Sequence, residues 1–169
     1  MHYTYYDLQD KTKIPDDCSV FNCRKCNLEE LPELPKLLIE LLCSVNNLTL
    51  LPELPNRLIQ LECHSNKLIK LPKLPIRLMH LYCGDNQLST LPELPNLLIT
   101  LYFFNNYLTE LPVLPDSLIC IRCSDNNIKY LSANNYEVIK KCNWISLLNN
   151  PFSANFTDDK DFKESLMNL

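Results

Sequence analysis

Leucine and proline recur along this chain with a period that no single helix or strand would produce. The pentapeptide Leu-Pro-x-Leu-Pro begins at Leu31, Leu51, Leu71, Leu91 and Leu111, so its copies stand 20 residues apart. Each copy leads into one frame, L-x-x-L-x-C-x-x-N-x-L, as at Leu58, Leu61, Cys63, Asn66 and Leu68, and again at Leu78, Leu81, Cys83, Asn86 and Leu88. One period before the first full copy, Cys18, Phe21, Cys23, Cys26 and Leu28 fall on the same frame, and Ile14-Pro15 falls on its second Leu-Pro. A fixed period of this length marks a solenoid, in which each unit buries its apolar face only against its neighbours.

The spacing within the frame assigns each position a direction. A strand alternates its side chains, so Leu61 and Cys63 face inward while Gln60, Glu62 and His64 face the open side. Six such strand segments are predicted, the last running through Ile121 and Cys123. Asn46, Asn66, Asn86, Asn106 and Asn126 stand where the chain leaves each strand, and a buried asparagine ladder is expected there. Proline fixes φ and lacks an N–H, so Leu-Pro-x-Leu-Pro returns along the convex side as extended or polyproline-like backbone. A thin outer layer beside strands about 4.8 Å apart bends the solenoid with its sheet on the inner curve.

An open solenoid needs covered ends. Residues 1–17 are read as the N-terminal cap, with Tyr3, Tyr5, Tyr6 and Leu8 as apolar cover, and residues 18–131 as the repeats. Residues 132–169 are read as a helical C-terminal cap, all in one domain. There the frame fails, with Lys141 and Asn143 at inward positions, while Val138, Cys142, Ile145 and Leu148 recur at helical spacing up to Asn149-Asn150-Pro151. A second short helix is expected from about Asp158 to Asn168, burying Phe162 and Leu166.

The frame and its doubled Leu-Pro resemble the short repeats of the leucine-rich-repeat effectors that pathogenic bacteria inject into host cells, over roughly residues 14–131. The resemblance implies a leucine-rich-repeat solenoid of the α/β repeat class. Some of those effectors carry a separate ubiquitin-ligase domain with a Cys-x-Asp motif, whereas others are repeats alone and act as binding scaffolds. The stretch from Ser132 to Leu169 is short for such a domain, so a ligase remnant ranks below a scaffold. Cysteine replaces the aliphatic residue usual in the bacterial frame. With the abundance of Asn, Ile, Lys and Tyr, that substitution looks like the leucine-rich-repeat proteins of giant amoebal viruses.

Composition narrows the functions further. One Gly against twelve Pro departs from ordinary domains, because the prolines serve the repeat. A net charge of -4 and a pI near 5.4 offer no basic excess for phosphate backbones or anionic lipid, so neither nucleic acid nor membrane is an expected partner. The first residues lack a signal-peptide pattern and no apolar run would span a bilayer, which points to an intracellular protein, cytoplasmic in the host cell for a viral one. Nine cysteines, an odd number without an export signal, are read as reduced. The sequons Asn47-Leu48-Thr49 and Asn155-Phe156-Thr157 are read as chance for the same reason.

Candidate chemistry thins out on the frame. Cys83-Gly84-Asp85 and Cys123-Ser124-Asp125 spell Cys-x-Asp, but both thiols take the inward position. Cys18, Cys23, Cys26 and Cys43 are the best zinc candidate, yet each fills a repeat position that explains it without metal. No cofactor is expected. His64 and His80 lie on adjacent strands but four residues out of step, about 13 Å at strand rise. What remains is the concave face, whose middle column reads Asn22, Leu42, Glu62, Tyr82, Tyr102 and Arg122. Glu62, His64, His80, Tyr82, Tyr102, Phe104, Tyr107 and Arg122 are the candidate partner-binding residues, because Tyr and Arg offer large apolar area with a polar handle. The expected function is non-catalytic capture of a protein partner, a host protein for an effector or viral chain, by a monomer. The alternative is a structural, self-associating repeat protein.

Overall fold

The structure is a computed structural model describing residues 1–5, 13–155, 158–160 and 164–165. Eight three-residue strands among them form one parallel sheet in sequence order: β1 His2–Thr4, β2 Val20–Asn22, β3 Glu40–Leu42, β4 Gln60–Glu62, β5 His80–Tyr82, β6 Thr100–Tyr102, β7 Cys120–Arg122 and β8 Trp144–Ser146. One helix, α1 Ala133–Lys141, lies between β7 and β8. Leu41 pairs with Leu61, Leu61 with Leu81, and Leu81 with Leu101, so the sequence period is the register of the sheet.

The inward set forms a continuous core. Leu41, Leu61, Leu81, Leu101 and Ile121 are fully buried, as are Cys43, Cys63, Cys83, Phe103 and Cys123 beside them. Opposite the sheet the Leu-Pro-x-Leu-Pro segments run without helix. Each second proline opens a turn: the Leu58 N–H donates to the Pro55 carbonyl at 3.0 Å, and the Leu78 N–H to that of Pro75 at 3.0 Å.

The asparagines form the expected ladder. The Asn86 amide donates to the Cys63 and Cys83 carbonyls at 3.1 Å each, and its oxygen accepts the Leu68 N–H at 3.0 Å. Asn46, Asn66, Asn106 and Asn126 repeat the arrangement on their own coils. The residue before each rung is left-handed: Val45, Ser65, Asp85, Asn105 and Asp125 have φ from 51 to 58°. None is glycine, and the β-branched Val45 is the least suited to that region.

The ends differ from the sequence reading. The sheet starts inside the segment read as an N-terminal cap, since Tyr3 of β1 pairs with Phe21, a shorter step than the common period. Tyr6 and Leu8 lie outside the described residues. Six strands become eight because the frame also resumes beyond β7 after a longer step: Cys142, Ile145, Leu147 and Asn150 take the places of Leu118, Ile121, Cys123 and Asn126. Asn150 completes the ladder, donating to the Cys123 and Leu147 carbonyls at 2.8 and 2.9 Å and accepting from Ile128 N–H at 3.1 Å.

The helix therefore stops at Lys141 and does not reach Leu148; Ile145 is on β8. Helix α1 occupies the place where a sixth Leu-Pro-x-Leu-Pro would stand. Proline is absent there, and Ser132 caps the first turn by accepting the Asn135 N–H at 3.3 Å. Asn135, 2% exposed, donates to the Pro112 carbonyl and accepts the Leu114 N–H at 2.9 Å each, which docks the helix on the preceding coil. Phe162 and Leu166 of the expected second helix lie outside the described residues.

Asn86→Ala leaves three carbonyls, those of Cys63, Cys83 and Gly84, and the Leu68 N–H without that partner. It is expected to destabilise the fold by about 3 kcal/mol, read from urea denaturation. Val45→Gly relieves the left-handed strain at the cost of a more flexible unfolded chain, and a net gain of about 0.5–1 kcal/mol is expected from the same assay.

Candidate interaction surface on the inner face of the sheet

The first and third residues of each strand are at least partly exposed on the open face, except the buried Leu42 and Thr100, and the parallel register sorts them into rows. The middle row runs Asn22, Leu42, Glu62, Tyr82, Tyr102, Arg122 and Ser146. A second row contains Glu40, Gln60, His80, Thr100, Cys120 and Trp144.

Three of the expected residues touch in sequence order. The Tyr82 and Tyr102 rings meet edge to face with centroids 5.2 Å apart, and the Arg122 guanidinium lies 4.9 Å from the centre of the Tyr102 ring. A neighbouring ring and a cation over a π face are both favourable contacts. Partial burial, with Tyr102 and Glu62 adding, pushes the Tyr82 hydroxyl above its ordinary range, so it is a neutral hydrogen-bonding group at physiological pH.

The remaining expected residues have other local roles. Glu62 accepts from Arg24 through Nε at 3.1 Å and through Nη2, and from Gln60 Nε2 at 2.7 Å, so it belongs to a network spanning β2 to β4. His64 Nδ1 contacts Ser65 Oγ at 3.1 Å and His80 Nδ1 contacts Thr100 Oγ1 at 3.2 Å. The two histidines thus have separate partners. Phe104 is half-buried over Gly84, where an added Cβ would come within 2.6 Å of its ring. The single glycine of the chain is the seat of that ring. Tyr107, 59% exposed, lies past the ladder, on the rim beyond the sheet.

The helical spacing of its segment hides Trp144 in the sequence. The structure puts it on β8 beside Cys120, 70% exposed, with Ile119 on the adjoining coil 43% exposed. A signal is present all the same: the frame recurs as Cys142, Ile145, Leu147, Asn150 and Phe152, out of step with the common period. Also unforeseen is the apolar rim Ile39, Ile59, Met79, Ile99 and Ile119. Each lies one residue before its strand, and successive members are linked by N–H to carbonyl bonds of 2.8 to 2.9 Å.

The thiols divide into two classes. Cys18, Cys23, Cys43, Cys63, Cys83, Cys123 and Cys142 are buried, whereas Cys26 and Cys120 are half-buried. Burial pushes the Cys23 thiol up to about 12, and pushes Cys43, Cys63, Cys83 and Cys123 upward as well. Neither Cys-x-Asp cysteine meets solvent, and the paired Asp85 and Asp125 accept from Asn105 and Asn149. Among the described residues no three His, Cys, Asp or Glu side chains converge as a metal set. No helix among them is long and apolar enough to cross a membrane.

No family model and no curated protein matches the chain. Among solved structures it is similar to YopM from Yersinia enterocolitica WA-314, with 31% identity and a TM-score of 0.72 over 82% of this chain and 34% of YopM. It is equally similar to the leucine-rich-repeat domain of a Shigella effector, with 34% identity and a TM-score of 0.72 over 82% of this chain and 72% of that domain. The functional domain of InlJ from Listeria monocytogenes, which includes a cysteine ladder, shares the fold at 23% identity and a TM-score of 0.56, over 84% of this chain and 38% of InlJ. The chain thus spans 34% of the length of YopM.

Two of the nine thiols, Cys26 and Cys120, are expected to react with a thiol reagent in the native protein at pH 8, and all nine in denaturant, counted by mass spectrometry. Raising the pH lets the unfolded chain ionise its thiols near 9, while Cys23 keeps its proton to about 12. The native state then holds more protons, so stability is expected to fall above pH 9. A Cys63→Val/Cys83→Val variant should lose less over the same range.

Proposed function

Because the chain belongs to the leucine-rich-repeat family of bacterial-effector type, we propose that it is a non-catalytic scaffold that captures a protein partner on the inner face of its sheet. The observation that carries this reading is the run Tyr82, Tyr102 and Arg122 on three consecutive strands of the open face. Each residue offers a large flat surface and a polar end, the combination that most often anchors protein interfaces. The strands that hold them are fixed by the core and the ladder, so the surface is formed before a partner arrives and little ordering entropy opposes binding. Burial of the Cys83 and Cys123 thiols counts against a ligase-type nucleophile at either Cys-x-Asp.

The test is affinity capture from cell lysate with the whole chain as bait. Replacing Tyr82 and Tyr102 together by Ser is expected to cut recovery of the specific partner at least about tenfold. Loss of the ring-to-ring contact costs the fold about 1 kcal/mol beyond the area the two half-buried rings cover, and circular dichroism checks that the fold is intact. Phe104 stays in place, because removing its ring would uncover Gly84 and confuse folding with binding. Unchanged recovery by the double variant would sink the assignment of the surface.

A further inference from the structure

The inner face carries two arginines in opposite circumstances. Arg24 is neutralised, since two of its nitrogens donate to Glu62. Arg122 is exposed, and among the described residues it has no carboxylate partner. Its contact is with the face of the Tyr102 ring. Among the described residues the Arg122 guanidinium donates no hydrogen bond, so its fork of N–H groups can receive a carboxylate through two parallel hydrogen bonds.

Two acidic side chains near this end are held by other donors: Asp125 accepts the Asn149 amide and Asp159 accepts the Leu147 N–H, each at 2.7 Å. Diagonally across from Arg122 stands Trp144, one strand over and two residues back, because Ser146 pairs with Arg122 and Trp144 with Cys120. Two residues along a strand and one strand across put their Cα atoms about 8 Å apart. The exposed indole and the exposed Ile119 of the adjoining coil thus lie near a cation that, among the described residues, has no carboxylate at salt-bridge distance.

We propose, building on the scaffold reading above, that this corner of the inner face binds a protein segment carrying a carboxylate two residues from a large apolar side chain. In an extended segment those two side chains point the same way and stand about 6.8 Å apart, which suits the Arg122 to Trp144 diagonal. The carboxylate takes the guanidinium edge, and the apolar side chain covers Trp144 and Ile119. A basic segment is repelled from Arg122, and a neutral one leaves a desolvated cation without a partner.

Panning a random dodecapeptide phage library on the immobilised whole chain tests the proposal. The enriched peptides are expected to share Asp or Glu near an aromatic or large aliphatic residue. The best of them, synthesised and titrated, should shift the emission of Trp144, the sole tryptophan of the chain, to shorter wavelength. By calorimetry its affinity should fall at least about tenfold for Arg122→Gln, for Trp144→Ser and for the peptide with its carboxylate changed to the amide. Arg122→Lys, which keeps the charge and loses the fork, is expected in between. Circular dichroism guards each variant against misfolding.

Enriched peptides that are neutral or basic, or that bind Arg122→Gln as well as the parent, would overturn the carboxylate proposal. If those same peptides still lose binding in the Tyr82/Tyr102 double variant, the scaffold reading survives. Binding untouched by every inner-face substitution defeats both. Burial of Trp144 by a second copy of the chain, seen as dimerisation in light scattering with the same emission shift, also overturns the proposal.

Discussion

The carboxamide that follows each strand from β3 to β8 is the interaction on which the rest of this solenoid depends. A three-residue strand leaves much of each coil outside the sheet ladder, and the turn that follows it buries carbonyls and N–H groups far from water. One asparagine answers that shortage. Its amide nitrogen ties the carbonyl of its own strand to the equivalent carbonyl one coil earlier, and its oxygen takes an N–H from the preceding coil. Aspartate or leucine at this position would lack the donors or both functions. The ladder therefore joins the backbone bonds between coils in holding the spacing at which the inward leucines stack.

Fixing the coils in this way frees the open face. Since each row repeats a position with no core duty, side chains there are constrained mainly by their neighbours on the adjacent strands. The N-terminal half uses that freedom for internal pairing, with Arg24, Gln60 and Glu62 satisfying one another. The C-terminal half leaves Arg122 and Trp144 facing outward beside two tyrosines. The two halves have one backbone and opposite surface chemistry, which makes the latter the place to look for a partner.

Translational symmetry explains what could be read from the sequence. Residues at the common period share one environment, so the core, the ladder from Asn46 to Asn126 and the row containing Tyr82, Tyr102 and Arg122 follow from the frame alone. The ends obey the same physics at other periods. Tyr3 reaches Phe21 by a shorter step and Ile121 reaches Ile145 by a longer one, so a fixed step misses β1 and β8, along with Trp144. Contacts that cross from strand to strand are equally hidden. Phe104 lies over β5 only because Gly84 has no side chain to prevent it, and Arg24 reaches Glu62 past β3. Such choices depend on what neighbouring rows lack, which no single repeat records.

In a quasi-one-dimensional fold, strain stays in the coil that carries it. The weaker features gather at the N-terminal end: Lys25 and Val45 hold left-handed backbone that neither prefers, and Cys26 occupies the rung position where its thiol donates only to the Arg24 carbonyl at 3.3 Å. Toward the C-terminus the same left-handed position is held by Asp85, Asn105, Asp125 and Asn149, residue types that tolerate it. These side chains also bond across coils, Asn105 to Asp85 at 2.8 Å and Asn149 to Asp125 at 2.7 Å. The Asn150 rung carries the ladder on to β8. The proposed surface thus stands on coils whose left-handed turns are held by residue types that tolerate that backbone, so little strain is stored behind the aromatic patch.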